Sequence, residues 1–178
     1  TGYTRLEAGR VRLPIAHIDT KSMAAATGFY STTQALCTYF AAQFVGSGQL
    51  LDDESKKEMQ RPQWHAKTPG QDNREDYGLG IELEYLGDRV VIGHSGGFPG
   101  HITQSIADPK DELVVTVLTN CLGGPASSIS KSIYSILDYF QNNTPTDTPA
   151  HDLSKFEGRY MNLWSMTEIV ATGDKVVA

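Results

Sequence analysis

The hydrophobic period changes twice along this chain. Ahead of residue 30 it is weak: Arg10-Val11-Arg12-Leu13-Pro14 suits a short extended piece, and Ala24-Ala25-Ala26-Thr27-Gly28 suits a segment packed closely against something. Then Leu36, Phe40 and Phe44 fall on one stripe, with Ala35 and Tyr39 beside it, which is the spacing of an amphipathic helix. Ser31-Thr32-Thr33-Gln34 in front of it has capping-box spacing, with the Ser31 hydroxyl satisfying a free amide and Gln34 reaching back. Gly46-Ser47-Gly48 stops that helix. Asp52 or Asp53 caps a second, short one through about Met59, and Pro62 ends it. Trp64 to Glu75 is polar and turn-rich and reads as a loop.

From Tyr77 to Thr119 the period drops to two. Ile81, Leu83 and Tyr85 alternate with Glu82 and Glu84, predicting a strand with one buried face. Gly87-Asp88 turns the chain into Arg89–Ile92, which ends in a glycine-rich corner at Gly93-His94-Ser95-Gly96-Gly97. Ile102 to Ala107 is a third strand, Asp108-Pro109-Lys110-Asp111 a turn. Leu113 to Thr119, apolar at nearly every position, is expected to be central and covered on both faces. Connections this short predict an antiparallel meander. The period then returns to a helix, about Ala126 to Phe140, whose stripe of Ile129, Ile133, Ile136, Leu137 and Phe140 calls for a sheet to cover it. The fold class is therefore α+β: a sheet meander with flanking helices.

Residues 142–151, rich in Thr, Pro, Asn and Asp, read as a linker, and Phe156-Glu157-Gly158-Arg159-Tyr160 begins new β material. The expected division is 1–141 as one body, 142–151 as linker and 152–178 as the truncated start of a small β domain.

Composition narrows the function classes. At 178 residues and a net charge of −6, with acids and bases scattered, the chain has no basic stripe for nucleic acid. Its two cysteines, Cys37 and Cys121, make neither a disulfide framework nor a cysteine-based zinc site. His94 and His101 lack a third ligand at suitable spacing, so no metal is expected, and no cofactor motif is present. The chain opens Thr1-Gly2-Tyr3 without a Met, so the expectation is that the natural N-terminus lies upstream, which leaves the compartment open.

Chemistry concentrates in the glycine corner. A His and a hydroxyl leave the sheet together, followed by glycines that let a ligand approach the backbone. Taken alone, the corner reads first as a turn without chemistry, since glycine-rich corners are common, and His94 as a strand-end imidazole bonded to a neighbour. Trp64 fits either a cleft rim or loop packing. Tyr30 reads as a hydrophobic staple beside the helix cap, and His17, His65 and His151 as surface residues.

Gly28-Phe29-Tyr30-Ser31-Thr32, Tyr77-Gly78-Leu79-Gly80, Gly93-His94-Ser95-Gly96-Gly97 and Leu118-Thr119-Asn120 occur in that order. Together they resemble the second half of the serine β-lactamase and penicillin-binding-protein-like hydrolases, in the branch of class C β-lactamases, D-aminopeptidases and esterases, over about Thr1 to Phe140. The resemblance implies a β-lactamase/transpeptidase-like fold and acyl transfer through a serine. His94-Ser95-Gly96 matches the family's Lys-Thr-Gly or His-Thr-Gly triad, with Ser for Thr. It implies that the Gly97 amide is one oxyanion donor. It further implies that His94 favours a substrate carboxylate or supports proton movement, that Ser95 donates to that carboxylate, and that Asn120 faces substrate.

The family's Ser-x-x-Lys nucleophile motif and its Tyr-x-Asn partner precede the segment that begins at Gly28, and neither is found there. Ser128-Ile129-Ser130-Lys131 has the first motif's letters but lies in the closing helix, where Ile129 should face the core and Lys131 water. Tyr160-Met161-Asn162 and Lys67-Thr68-Pro69-Gly70 are likewise set aside as coincidences. The expected function is that of a C-terminal fragment of a serine hydrolase cleaving ester, peptide-amide or β-lactam bonds, inactive alone. Its expected partners are a small ester, peptide or lactam substrate, the missing N-terminal half, and a second copy through self-association. The alternative is a non-catalytic binding or interaction module on the same fold. A bacterial-type parent would be periplasmic or secreted.

Overall fold

The computed structural model describes residues 1–6, 11–27, 29–66, 75–142, 152–161, 166–172 and 175–177. Its two compact units are Thr1–Ser135 and Ile136–Ala178. In the first, strands β1 (Gly2–Tyr3) and β2 (Pro14–Ile15) form a small ribbon. Helices α1 (Ala24–Thr27), α2 (Thr33–Ala42) and α3 (Asp53–Met59) follow. Six antiparallel strands come next: β3 (Trp64–Ala66), β4 (Glu75–Tyr77), β5 (Glu82–Leu86), β6 (Arg89–Phe98), β7 (His101–Asp108) and β8 (Leu113–Thr119). They pair strictly in chain order, the meander expected from the short connections. Helix α4 (Ala126–Asn142) closes the series, its residues up to Ser135 belonging to this unit.

Two cross-strand rows show how alternation builds the core. Asp76, Leu83, Ile92, Ala107 and Val114 stand opposite one another on successive strands. Leu83, Ile92 and Ala107 of this row pack with Ile81 and with Phe40 and Phe44 of the α2 region, and Val114 and Met59 border them. The neighbouring row is Tyr77, Glu82, Gly93, Ile106 and Val115. Ile106 and Val115 join Val91 and Tyr134 of α4 in a second core on the other face. Each branched side chain buried in this way contributes about 1.5–3 kcal/mol. The sheet is thus sandwiched, with α2 and α3 on one side and α4 on the other.

Several expectations need correction. β8 is covered on both faces, through Val114 on one side and Leu113, Val115 and Val117 on the other, but it lies at the sheet edge rather than the centre. Coverage of both faces produces the same continuous apolar run as a central position. Within the stretch Trp64 to Glu75 expected as loop, Trp64–Ala66 is a strand and Glu75 begins another, because Trp64 pairs with Tyr77, His65 with Asp76 and Ala66 with Glu75. The N-cap of α2 is Thr32, whose hydroxyl accepts from the Ala35 amide at 3.2 Å, one residue past the expected Ser31. Asp52 caps α3 as expected. Ala24–Thr27 is exposed rather than closely packed, and Tyr30 lies against the His17 ring and is solvent-exposed. In α4, Ile129 is exposed and Lys131 forms an ion pair with Glu84 instead of facing water.

In the second unit, β9 (Gly158–Met161), β10 (Met166–Thr172) and β11 (Lys175–Val177) form an antiparallel sheet in the order β11-β10-β9. The Lys67–Gly70 letters, Asn162, His151, Gly28, Arg10 and residues 143–151 of the expected linker fall outside the described residues. Cys37 and Cys121 are both free thiols. No described helix is long and apolar enough to cross a membrane.

Candidate active site

The glycine corner is not a corner. β6 runs unbroken from Arg89 to Phe98, and its turn falls at Pro99-Gly100. Gly93 is required there: a β-carbon would sit 2.0 Å from the Ser105 carbonyl oxygen of β7. Among the described residues, the neighbour of such a carbon at Gly97 within 4 Å is Ile102 Cδ1 at 3.9 Å, an ordinary contact. The glycines therefore let a sheet strand carry a tight pairing at one end and open space at the other.

β5 begins at Glu82, opposite Gly93, so β6 overruns it from His94 onward while staying paired to β7. A strand that loses its neighbour presents backbone groups sideways. Here Glu82 substitutes for the missing ladder. Its carboxylate accepts from the Ser95 amide at 2.9 Å and from the Ser95 hydroxyl at 2.8 Å. Amides alternate in direction along a strand, so the Gly97 N–H points to the same open side as that of Ser95.

His94 is fixed at both nitrogens. Nδ1 lies 2.6 Å from the Ser95 carbonyl oxygen, which only accepts, so Nδ1 carries the proton. In the neutral ring Nε2 is then the acceptor, and the Tyr77 hydroxyl at 2.9 Å donates to it. Glu82 Oε1 stands 3.5 Å from Nδ1. The Tyr77 ring meets His94 edge-on, centroids 5.8 Å apart, and Trp64 lies 6.3 Å beyond Tyr77.

A family model described as Beta-lactamase matches residues 1–137. The chain belongs to the Beta-lactamase family. No curated protein matches it. Among solved structures, a penicillin-binding protein homologue from Pyrococcus abyssi, described as octameric, is 23% identical, with TM-score 0.61, over 98% of this chain and 40% of that one. A D-stereospecific amidohydrolase from Streptomyces sp. is 22% identical, with TM-score 0.60, over 75% of this chain and 38% of its own. These likenesses show the β-lactamase/transpeptidase-like fold, and the chain spans less than half the length of either structure.

Within this Beta-lactamase family chain, His94, Ser95, Gly96 and Gly97 form one continuous, partly exposed segment. Asn120 lies just past β8, two strands over at the same end of the sheet, and its amide donates to the Thr1 carbonyl at 3.4 Å. The Ser95 hydroxyl, expected to address a substrate carboxylate, is committed to Glu82. Tyr77, Glu82 and Trp64 are the additions. Alternation made Glu82 a solvent-facing residue, and nothing local marked it as the partner of Ser95 on the neighbouring strand.

Proposed function

We propose that this chain is the sheet-side part of a serine hydrolase that cleaves an ester, amide or lactam through an acyl-enzyme, with the nucleophile supplied by sequence outside it. The observation that carries this reading is the overrun of β6, which offers the Gly97 amide on an open side beside a fixed Tyr77–His94 pair. The amide suits a developing oxyanion, because a backbone donor held by a sheet needs no reorganisation as charge forms. His94, with its tautomer set by the Ser95 carbonyl, and Tyr77 suit proton movement beside that position. Glu82 acts as a positioning residue by holding Ser95 at two points. Asn120 is kept in the proposal as a substrate-facing residue at the sheet's end. Residues 152–178 are read as the start of a further small β domain beyond a linker at 142–151.

The test is to express the protein with its upstream sequence and follow nitrocefin and p-nitrophenyl ester hydrolysis. A burst that falls on His94→Ala supports the reading. An upstream sequence without a Ser-x-x-Lys, or a full-length protein with no turnover that still binds these compounds, would favour a binding module.

A further inference from the structure

The wall that β6 presents carries an unusual charge for a surface meant to receive an acyl group. Among the described residues, the ionisable side chains in mutual contact there are Tyr77, Glu82 and His94, a set with one carboxyl group and no lysine or arginine paired to it. Both groups expected to attract a substrate carboxylate are otherwise engaged. The Ser95 hydroxyl donates to Glu82, and His94 uses its proton on a backbone carbonyl. A substrate carboxylate brought to Ser95 would meet Glu82 at close range, and like charges in contact disfavour binding.

The same wall carries an aromatic shelf. Trp64 is 60% exposed although it belongs to a strand. Register places Trp64, Tyr77 and Glu82 side by side on three successive strands. At the ordinary strand spacing, Trp64 and Glu82 are about 9–10 Å apart across Tyr77. A benzyl-sized group lying on Trp64 and Tyr77, with an ammonium two or three atoms away, spans that distance. The ring faces attract a cation or an apolar ring, and the carboxylate attracts the ammonium.

We infer that Trp64, Tyr77 and Glu82 form a specificity surface that selects uncharged or cationic substrates bearing an aromatic or apolar group, and disfavours substrates carrying a carboxylate. This inference rests on the acyl-transfer reading for the word substrate, but its recognition step is measurable on the chain as it stands.

Three matched probes decide it: phenethylamine, phenylacetamide and phenylacetate, titrated into the chain and followed by amide and indole proton–nitrogen NMR. The amine should bind tightest and the carboxylate weakest, about tenfold apart, with shifts at Trp64, Tyr77, Ser95 and Gly97. Glu82→Gln should bring amine and amide to parity, while Trp64→Ala should weaken all of them by about three- to fivefold with the order kept. Dispersed spectra of both variants verify that they fold. Phenylacetate binding as tightly as the amine, shifts confined to other regions, or no saturable shift with any probe would overturn the inference. Such a failure leaves the acyl-transfer reading intact, because that reading fails only through the full-length hydrolysis experiment.

Discussion

Gly93 and Gly97 lie on one strand and should respond in opposite ways to a single methyl group. At Gly93 the added carbon would lie 2.0 Å from the Ser105 oxygen, 3.0 Å from the Ser105 carbonyl carbon and 3.1 Å from Ile106 Cα. An ordinary carbon–oxygen contact needs about 3.3 Å, so β6 and β7 would have to part by about 1.3 Å. All three atoms are backbone, and β7 is held from behind by β8, where Ser105 stands opposite Thr116. Overpacking of this kind costs about 1–3 kcal/mol, and each weakened ladder bond adds about 1 kcal/mol, so Gly93→Ala should lose about 3 kcal/mol. At Gly97 the methyl meets one side-chain atom at 3.9 Å. Gly97→Ala should therefore leave stability within about 1 kcal/mol of the parent, on the stabilising side if the stiffer unfolded chain dominates. Urea unfolding, with ΔG and m fitted for each protein, reads both effects. A Gly93→Ala loss below about 0.5 kcal/mol, or a larger loss at Gly97, would refute the register and with it the placement of His94.

Three further outcomes follow from the same contacts. Burial raises the Tyr134 phenol above its ordinary value of 10.0, and Asp108 adds to the shift. The folded chain then keeps a proton that the unfolded chain sheds. Stability present below that value should fall as pH climbs past it, by about 1.4 kcal/mol per unit. Urea titrations of the parent and Tyr134→Phe should show their stability difference shrinking from about pH 9 to pH 11, whereas a constant difference contradicts the burial. Lys131→Met leaves the largely buried Glu84 with Gln104 at 3.4 Å as its remaining neutral partner and should cost about 1–3 kcal/mol, with Glu84→Leu added in the same chain recovering much of it. A double-mutant cycle with no coupling would remove that pin. Glu82→Gln should barely change the unfolding midpoint, yet speed hydrogen exchange at the Ser95 amide by about tenfold. Unchanged exchange would mean that Glu82 does not hold the strand end.

What the sequence disclosed and what it concealed divide along one physical line. Local signals translated well in part: the burial of Ile81 and Leu83, the cap at Asp52 and the Gly87 turn stand in the structure, whereas the strand's expected open face is covered at Glu84, which is buried, and Tyr85 is only half-buried. Properties set by distant partners did not. The apolar run of Leu113–Thr119 reports burial of two faces, and it carries no information on whether an edge is paired. Ile129 and Lys131 followed helical spacing, but only the position of Glu84 on β5 decides that Lys131 turns inward. At the site, His94, Ser95, Gly96 and Gly97 were legible as a segment because they are adjacent. Glu82 was hidden, Tyr77 was visible only as part of a motif and Trp64 only as one of two alternatives, because register, not sequence distance, brings them there. The glycines were misread as a bend for a related reason: Gly93 answers to the approach of Ser105 from the next strand.

On the proposed function, this wall positions a substrate and does not itself attack one. Ser95 decides between the two roles, because a carboxylate 2.8 Å from its hydroxyl also resembles a base beside a nucleophile. The most direct measurement is the intact mass of the chain after incubation with p-nitrophenyl acetate, followed by peptide mapping. The chain should come through unmodified. A stoichiometric acetyl adduct on Ser95, lost in Glu82→Gln, would contradict it.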